Sequence, residues 1–364
     1  MIGDPEVRVV VCCGSGGVGK TTTAAGLALR AAEVHGRRTV VLTIDPARRL
    51  AQSLGLSELD NTPRAVAGVD GAGLDAMMLD MKRTFDEVVL AHTTPEQAGE
   101  IFANPFYQAM SGTFAGTQEY MAMEKLAQLR ADGKWDLIVV DTPPSRSALD
   151  FLDAPARLAR FLDGRMIRVL TSPSRGGHSV FSLMTSSMSF FTRAVNKVLG
   201  GRMLSDIATF AASLDSTFGG FRTRAEATYR ALQDAQTAFL VVAAPEPDAI
   251  REAVYFTRRL TEERMPLAGL VLNRAHRVAA EGLSAQRALG AAEGLDDSGA
   301  TSPTADVLRV HASLVTRVAA EQRIAARYTT ACPGVPQARI PAFAADVHDL
   351  EDLRSVGESL SSPS

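Results

Sequence analysis

Apolar residues in this chain gather in short unbroken runs separated by longer segments of mixed pattern. Val7 to Cys13 is almost continuously apolar and ends in glycines, as expected of a strand buried on both faces. Thr39 to Ile44, Trp135 to Val140, Ala238 to Ala244, Ala268 to Leu272 and Gln337 to Ile340 repeat that pattern. Helical segments lie between them: Thr21 to Val34, rich in Ala and Leu and stopped by Gly36, then Asp248 to Arg264 and Thr304 to Tyr328. Strands alternating with helices predict an α/β fold built on a doubly wound, mostly parallel sheet.

Two stretches break the alternation. Arg83 to Arg130 reads as a mostly helical insertion. Ser147 to Asp234 has no convincing strand and carries Met166, Phe181, Met184, Met188, Phe190 and Phe191 among Ser, Gly and Arg. The expected organisation is a core whose first half is residues 1–146, with a helical insertion at about 83–130, followed by an inserted helical subdomain at 147–235. The second half of the core is 236–355, with a Gly-, Ser- and Asp-containing linker at about 291–303 and a flexible tail at 356–364. No internal repeat is visible, and there is a single phosphate-loop pattern.

Composition narrows the function classes. The net charge of −3 leaves no global basic field to attract nucleic acid or anionic lipid, so no nucleic-acid partner is expected. Cys12, Cys13 and Cys332 do not make a disulfide framework; adjacent cysteines in an apolar strand read as small buried residues in a reducing compartment. The opening Met-Ile-Gly-Asp-Pro lacks a basic-then-apolar leader, and no run approaches the ~18 apolar residues needed to span a bilayer. A cytoplasmic protein is expected, with peripheral docking at a membrane left open.

The strongest chemical signal is Gly14-Ser15-Gly16-Gly17-Val18-Gly19-Lys20-Thr21, which fits G-x-x-x-x-G-K-[ST]. Glycines let successive backbone N–H groups converge on phosphates. The helix that follows presents its N-terminal N–H groups and positive dipole end to the anion. Lys20 would reach the β- and γ-phosphates, Thr21 would ligate Mg²⁺, and Thr22 would meet the α-phosphate. The motif sits after a buried strand and opens a helix, where the mechanism requires it.

Two carboxylates stand at strand ends. Asp141 follows the run Leu137 to Val140 and begins Asp-Thr-Pro-Pro; near the phosphate loop it suits a Walker B role in the outer shell of Mg²⁺. It also fits a plain turn before Pro-Pro. Asp45 ends Thr39 to Ile44, in the crevice where open α/β sheets bind ligands, and there it would orient or deprotonate an attacking water. Asp45-Pro46 is equally a helix start.

These segments make the chain resemble the ArsA-type family, the arsenite-pump ATPases and the ATPases that target tail-anchored membrane proteins. The resemblance is carried by Gly16 to Thr22, by Thr43-Ile44-Asp45-Pro46-Ala47 and by Asp141-Thr142-Pro143-Pro144. The strand end Leu79-Asp80, the helix opening Gly116-Thr117-Gln118-Glu119, the strand Val271-Leu272-Asn273 and the last strand and loop at Arg339-Ile340-Pro341 extend it, over about residues 7–355. It implies a P-loop NTPase fold with an inserted helical subdomain. It implies ATP and Mg²⁺ as cofactors, held by Gly16, Gly17, Val18, Gly19, Lys20, Thr21 and Thr22, with Asn273 on adenine and the backbone near Pro341 closing the base pocket. It implies Lys20 and Asp45 as catalytic residues, and Thr21, Asp45 and Asp141 around Mg²⁺, the aspartates through water. Asn273 also reads as a simple turn residue.

The chain departs from the family pattern in three places. Ser15 occupies the position of the signature lysine that stabilises developing charge on a partner subunit's nucleotide; Arg48, Arg49 and Arg146 are nearby cations. No Cys-x-x-Cys is present, so no zinc site is expected, and the cysteines are placed wrongly for arsenite. The Met- and Phe-rich stretch at about 165–220 either packs its own core or offers a groove to a hydrophobic client or membrane protein. The expected function is a MgATP-binding, ATP-hydrolysing switch acting through a homodimer or a heterodimer with a related ATPase. The alternative is a weakly hydrolysing regulatory subunit of a heteromeric complex. A ParA/MinD-type positioning ATPase ranks last, because that type retains the signature lysine and lacks the long insertion.

Overall fold

A computed structural model describes residues 1–45, 49–104, 107–108, 117–143, 221–296 and 303–361. Backbone contacts divide the chain into two compact units. One comprises Met1–Leu79, Leu129–Leu149 and Ala231–Ser364, the other Asp80–Gln128 and Asp150–Arg230.

The first unit is built on eight strands: β1 (Val9–Cys13), β2 (Thr39–Thr43), β3 (Arg64–Ala65), β4 (Leu74–Met78), β5 (Leu137–Asp141), β6 (Thr237–Ala243), β7 (Leu267–Ala275) and β8 (Gln337–Pro341). They form one sheet in the order β3-β4-β2-β5-β1-β6-β7-β8, parallel throughout except for the antiparallel edge pair β3–β4. Every residue of β1, β2, β5 and β6 is buried, which is why their apolar runs do not alternate. Helix α1 (Lys20–Glu33) lays Ala24, Leu27, Ala28 and Ala31 into this core. Helix α2 (Arg49–Ser53) follows β2.

The second unit contains α3 (Met81–His92) and α4 (Pro95–Ala103). Asp80 caps α3 by accepting the Arg83 backbone N–H, and Thr94 with Gln97 forms a capping box at α4. Helix α5 (Thr117–Asp132) comes next in the chain. Tyr107 packs edge-on against Phe85, with ring centroids 5.3 Å apart. Lys125 pairs with Glu87 at 2.7 Å.

Helix α6 (Phe221–Gln233) leads back to β6, and α7 (Pro247–Glu262) to β7. Helices α8 (Ala285–Asp296) and α9 (Pro303–Ala331) pack on each other, and α10 (Leu350–Ser359) closes on α1. The remaining calls on the inserted subdomain, including the Met- and Phe-rich stretch at 165–220, fall outside the described residues.

Several expectations need correction. The linker expected at 291–303 is helical up to Asp296, because Ala288 and Ala292 give α8 a buried face. The tail expected from 356 begins inside α10, where Leu353, Val356 and Gly357 are buried. Arg354 ties that helix down by a two-pronged bond to Glu33 at 2.8 and 3.0 Å. Strand β4 leads into the Leu79-Asp80 strand end that the family resemblance implied; Asp75 interrupts its apolar run, and the Trp135 indole N–H donates to that carboxylate at 2.7 Å. Strand β7 continues past Leu272 to Ala275, across an irregularity in its pairing with β8.

Candidate functional site

The parallel register sets out the site before any side chain is considered. Strand β5 lies between β2 and β1, and Asp141 pairs in register with both Thr43 and Cys12. The loop that leaves β1 for α1 therefore starts beside the end of β5, at the carboxyl edge where open sheets place ligands.

The loop, Gly14 to Gly19, needs its glycines for two separate reasons. Gly14 has φ +150°, and a Cβ there would overlap the Val242 carbonyl oxygen. Gly19 has φ +89°, and a Cβ there would overlap Asn273 Nδ2. Gly19 is the N-cap of α1, so no side chain caps this helix end and its first turn carries no acidic residue. The backbone N–H groups and the dipole of α1 consequently face the loop without a built-in anion.

Lys20 is the first residue of α1 and only 5% exposed. Its ammonium donates to the Ser15 carbonyl at 2.9 Å, folding back across the loop. Burial pulls its pKa below the ordinary lysine value, against the opposing pull of Asp141, Cys13 and Asp45. The preceding Gly16 and Gly17 are exposed and Val18 is buried.

Asp141 is fully buried. Its Oδ2 accepts the Thr21 hydroxyl at 2.7 Å and the Thr43 hydroxyl at 2.9 Å. Among the described residues, its Oδ1 is the buried side-chain polar atom without a hydrogen-bond partner. Burial pushes the carboxyl up to about 6; the bonds from Thr21 and Thr43 and the charge of Lys20 act downward, and nearby Asp45 acts upward. An all-oxygen set with one carboxylate oxygen to spare fits a hard divalent cation. Thr21 can keep its proton on Asp141 and still offer a lone pair to the metal. These residues fit Mg²⁺.

The remaining residues expected at the site fall around this centre. Asp45 lies just past β2, half-buried, and its N–H donates to Thr43 Oγ1 at 3.2 Å. Thr22 is half-buried in the first turn of α1. Asn273 sits in β7, where Nδ2 donates to the Val18 carbonyl at 2.8 Å and Oδ1 accepts the Arg274 N–H at 2.9 Å. Pro341 ends β8 in register with Ala275. Ser15 is half-buried and Arg49 is exposed at the start of α2. Arg48 and Arg146 fall outside the described residues. Thr43 was quoted only as part of a motif; its role emerges from the sheet register, which a single sequence does not display.

Comparison with known proteins agrees with this geometry. A family model described as anion-transporting ATPase matches residues 7–284. The chain is 30% identical over 158 residues to the ATPase GET3 of Malassezia globosa, covering 43% of this chain and 45% of that protein. It is 25% identical over 276 residues to the ATPase GET3 of Ajellomyces dermatitidis, covering 75% of this chain and 74% of the other. The ATPase GET3C of Arabidopsis thaliana is 25% identical over 276 residues, covering 71% of this chain and 65% of the relative. The first of these alignments thus spans less than half the length of the relative it matches.

Proposed function

We propose, from the premise that this chain belongs to the anion-transporting ATPase family, that it is a MgATP-hydrolysing switch in which nucleotide-driven rearrangement of a dimer acts on a partner protein or membrane component. The observation that carries the chemistry is the convergence of Thr21 and Asp141 beside Lys20 at an uncapped helix start. Relatives matched in sequence are named as ATPases.

In this reading Lys20 leaves the Ser15 carbonyl and places its ammonium on the β- and γ-phosphates of ATP. Backbone N–H groups from Gly16 to Thr22 bind the phosphate oxygens. Thr21 and, through water, Asp141 and Asp45 would hold Mg²⁺, which when bound would supply positive charge to the phosphate oxygens. Asp45 orients the attacking water and takes its proton. Asn273 holds the loop through Val18 and lies at the adenine side with Pro341. Because the adenine contact would have to share Asn273 with Val18, its Nδ2 acts first as a brace for the loop. Hydrolysis and phosphate release would relax the loop and the Asp45 segment.

Ser15 favours a second reading: a regulatory subunit that binds nucleotide but hydrolyses it weakly, since serine supplies no positive charge to the transition state. Phosphate release by the purified chain, with Lys20→Ala as control, separates the two. Steady turnover abolished by Lys20→Ala supports the switch. Tight MgATP binding without turnover above the control supports the regulatory subunit.

No helix among the described residues is long and apolar enough to cross a membrane.

A further inference from the structure

Thr43 ends β2 and is 1% exposed, yet it makes no apolar contribution that valine would not make as well. What distinguishes it is a hydroxyl that engages the Asp141 carboxylate and the Asp45 backbone, including a longer approach to the Asp45 carbonyl at 3.4 Å. Its Oγ1 donates to Asp141 Oδ2 at 2.9 Å and accepts the Asp45 backbone N–H at 3.2 Å. A hydroxyl has one proton and two lone pairs, so the proton goes to the nearer acceptor, Asp141, rather than to the Asp45 carbonyl at 3.4 Å, while a lone pair accepts the Asp45 N–H at the same time. The same carboxylate oxygen accepts the Thr21 hydroxyl at 2.7 Å. Three chain segments therefore meet on one atom: the start of α1, the end of β5 and, through Thr43, the segment that carries Asp45.

We propose that Thr43 is a positioning residue that clamps the Asp45 backbone to the Asp141 carboxylate, so that the water-orienting segment is held in register with the phosphate and magnesium site. This rests on the functional assignment above and adds to it a connection through which a change at Asp141 is felt at Asp45. The backbone is held at neighbouring points as well: Ile44 N–H donates to the Asp141 carbonyl at 2.9 Å, and Leu79 N–H donates to the Thr43 carbonyl at 2.9 Å. Those main-chain bonds fix β2 in the sheet. Asp45 lies beyond them, and the Thr43 hydroxyl carries the register one residue further. Asp45 is followed by Pro46, which has no N–H of its own to continue the hold.

Thr43→Val keeps the shape and removes both bonds; Thr43→Ser keeps both bonds and removes a methyl group. Measurements are made on the full chain: MgATP affinity by calorimetry, phosphate release at saturating MgATP, and hydrogen exchange of the Asp45 amide in the nucleotide-free protein. Thr43→Val is expected to keep MgATP affinity within about threefold while turnover falls about tenfold or more. The Asp45 amide is expected to exchange about tenfold faster, the scale of one lost net hydrogen bond. Thr43→Ser is expected to restore turnover and protection together. Wild-type turnover and exchange in a folded Thr43→Val protein would overturn the clamp. So would a Thr43→Ser protein as defective as Thr43→Val, or affinity and turnover falling in parallel, since packing alone would then account for the residue. A wild-type chain that fails to take up MgATP overturns the parent assignment instead; the amide-exchange comparison in the nucleotide-free protein then still reports whether the clamp exists.

Discussion

The Thr21 hydroxyl donates to Asp141 Oδ2 at 2.7 Å, joining the first turn of α1 to the end of β5 across 120 residues of chain. That bond gathers a charge-bearing group from each of two elements at the sheet edge. Lys20 and Asp141 are both buried, and both have pKa values shifted toward neutrality by that burial. A site that keeps an ammonium and a carboxylate out of water is held at a cost to the free protein and is favoured once a polyanion and a cation arrive.

Lys20 tests that cost directly. Its ammonium has the Ser15 carbonyl as acceptor, and burial disfavours its charge. Lys20→Met is expected to leave the melting temperature of the nucleotide-free protein unchanged or higher, while weakening MgATP binding about 100-fold. The latter corresponds to losing charge-assisted bonds of roughly 1.5–3 kcal/mol. Scanning calorimetry and ligand titration on the same samples check both halves.

The pH dependence follows from Asp141. Its carboxyl titrates at about 6 in the folded chain, above its ordinary 3.8. Between those values the folded state binds more protons than the unfolded state, so stability falls as pH rises through the window and is level above it. The accumulated destabilisation is on the order of 3 kcal/mol. In chelator and without nucleotide, the stability difference between Asp141→Asn and wild type is expected to widen in favour of Asp141→Asn from about pH 4 to about pH 6. Denaturant melts at several pH values measure it; a constant difference would mean that the carboxyl is not forced up by burial.

Gly19 and Asn273 should be energetically coupled. A Cβ at Gly19 collides with Asn273 Nδ2, whose present partner is the Val18 carbonyl. Gly19→Ala is expected to destabilise by about 1–3 kcal/mol through strain at φ +89° and displacement of Asn273. In an Asn273→Ala background the collision disappears and only the backbone strain remains. A double-mutant cycle should return a coupling of about 1 kcal/mol, and strict additivity would show that the two residues do not touch.

Helix α10 is expected to be required for folding. Leu353 and Val356 are buried against α1, each worth about 1.5–3 kcal/mol. Against a typical stability of roughly 5–15 kcal/mol, a chain ending at His348 should lose most of its cooperative melting transition. A truncated chain that melts like wild type would return these residues to the status of a tail.

Much of this was legible in the amino-acid pattern, for identifiable reasons. Strands β1, β2, β5 and β6 are buried on both faces and so appear as unbroken apolar runs, with the phosphate loop and both aspartates at their ends. Strand β4 was legible only at its Leu79-Asp80 end, through the family resemblance, because Asp75 breaks its apolar run and its compensation by Trp135 comes from 60 residues away. The end of the chain was read as loose because the apolar face of α10, Leu353, Val356 and Gly357 with Leu350 partly buried beside them, is too sparse to register without α1 opposite it. Asn273 was identified at the site, but its bond to Val18 spans 255 residues and no local pattern announces it. Thr43 gives even less sign of itself, since a threonine at a strand end is ordinary until strand order puts Asp141 beside it.

The central claim is that the loop from Gly14 to Thr21, with Asp141, holds MgATP. Isothermal titration of the purified chain with ATP, in magnesium and again in chelator, tests it most directly. The expected result is saturable uptake of one ATP per chain in magnesium, weakened at least about tenfold in chelator and lost in Lys20→Ala. Absence of uptake by the folded wild-type chain, or uptake indifferent to both magnesium and Lys20, would contradict it.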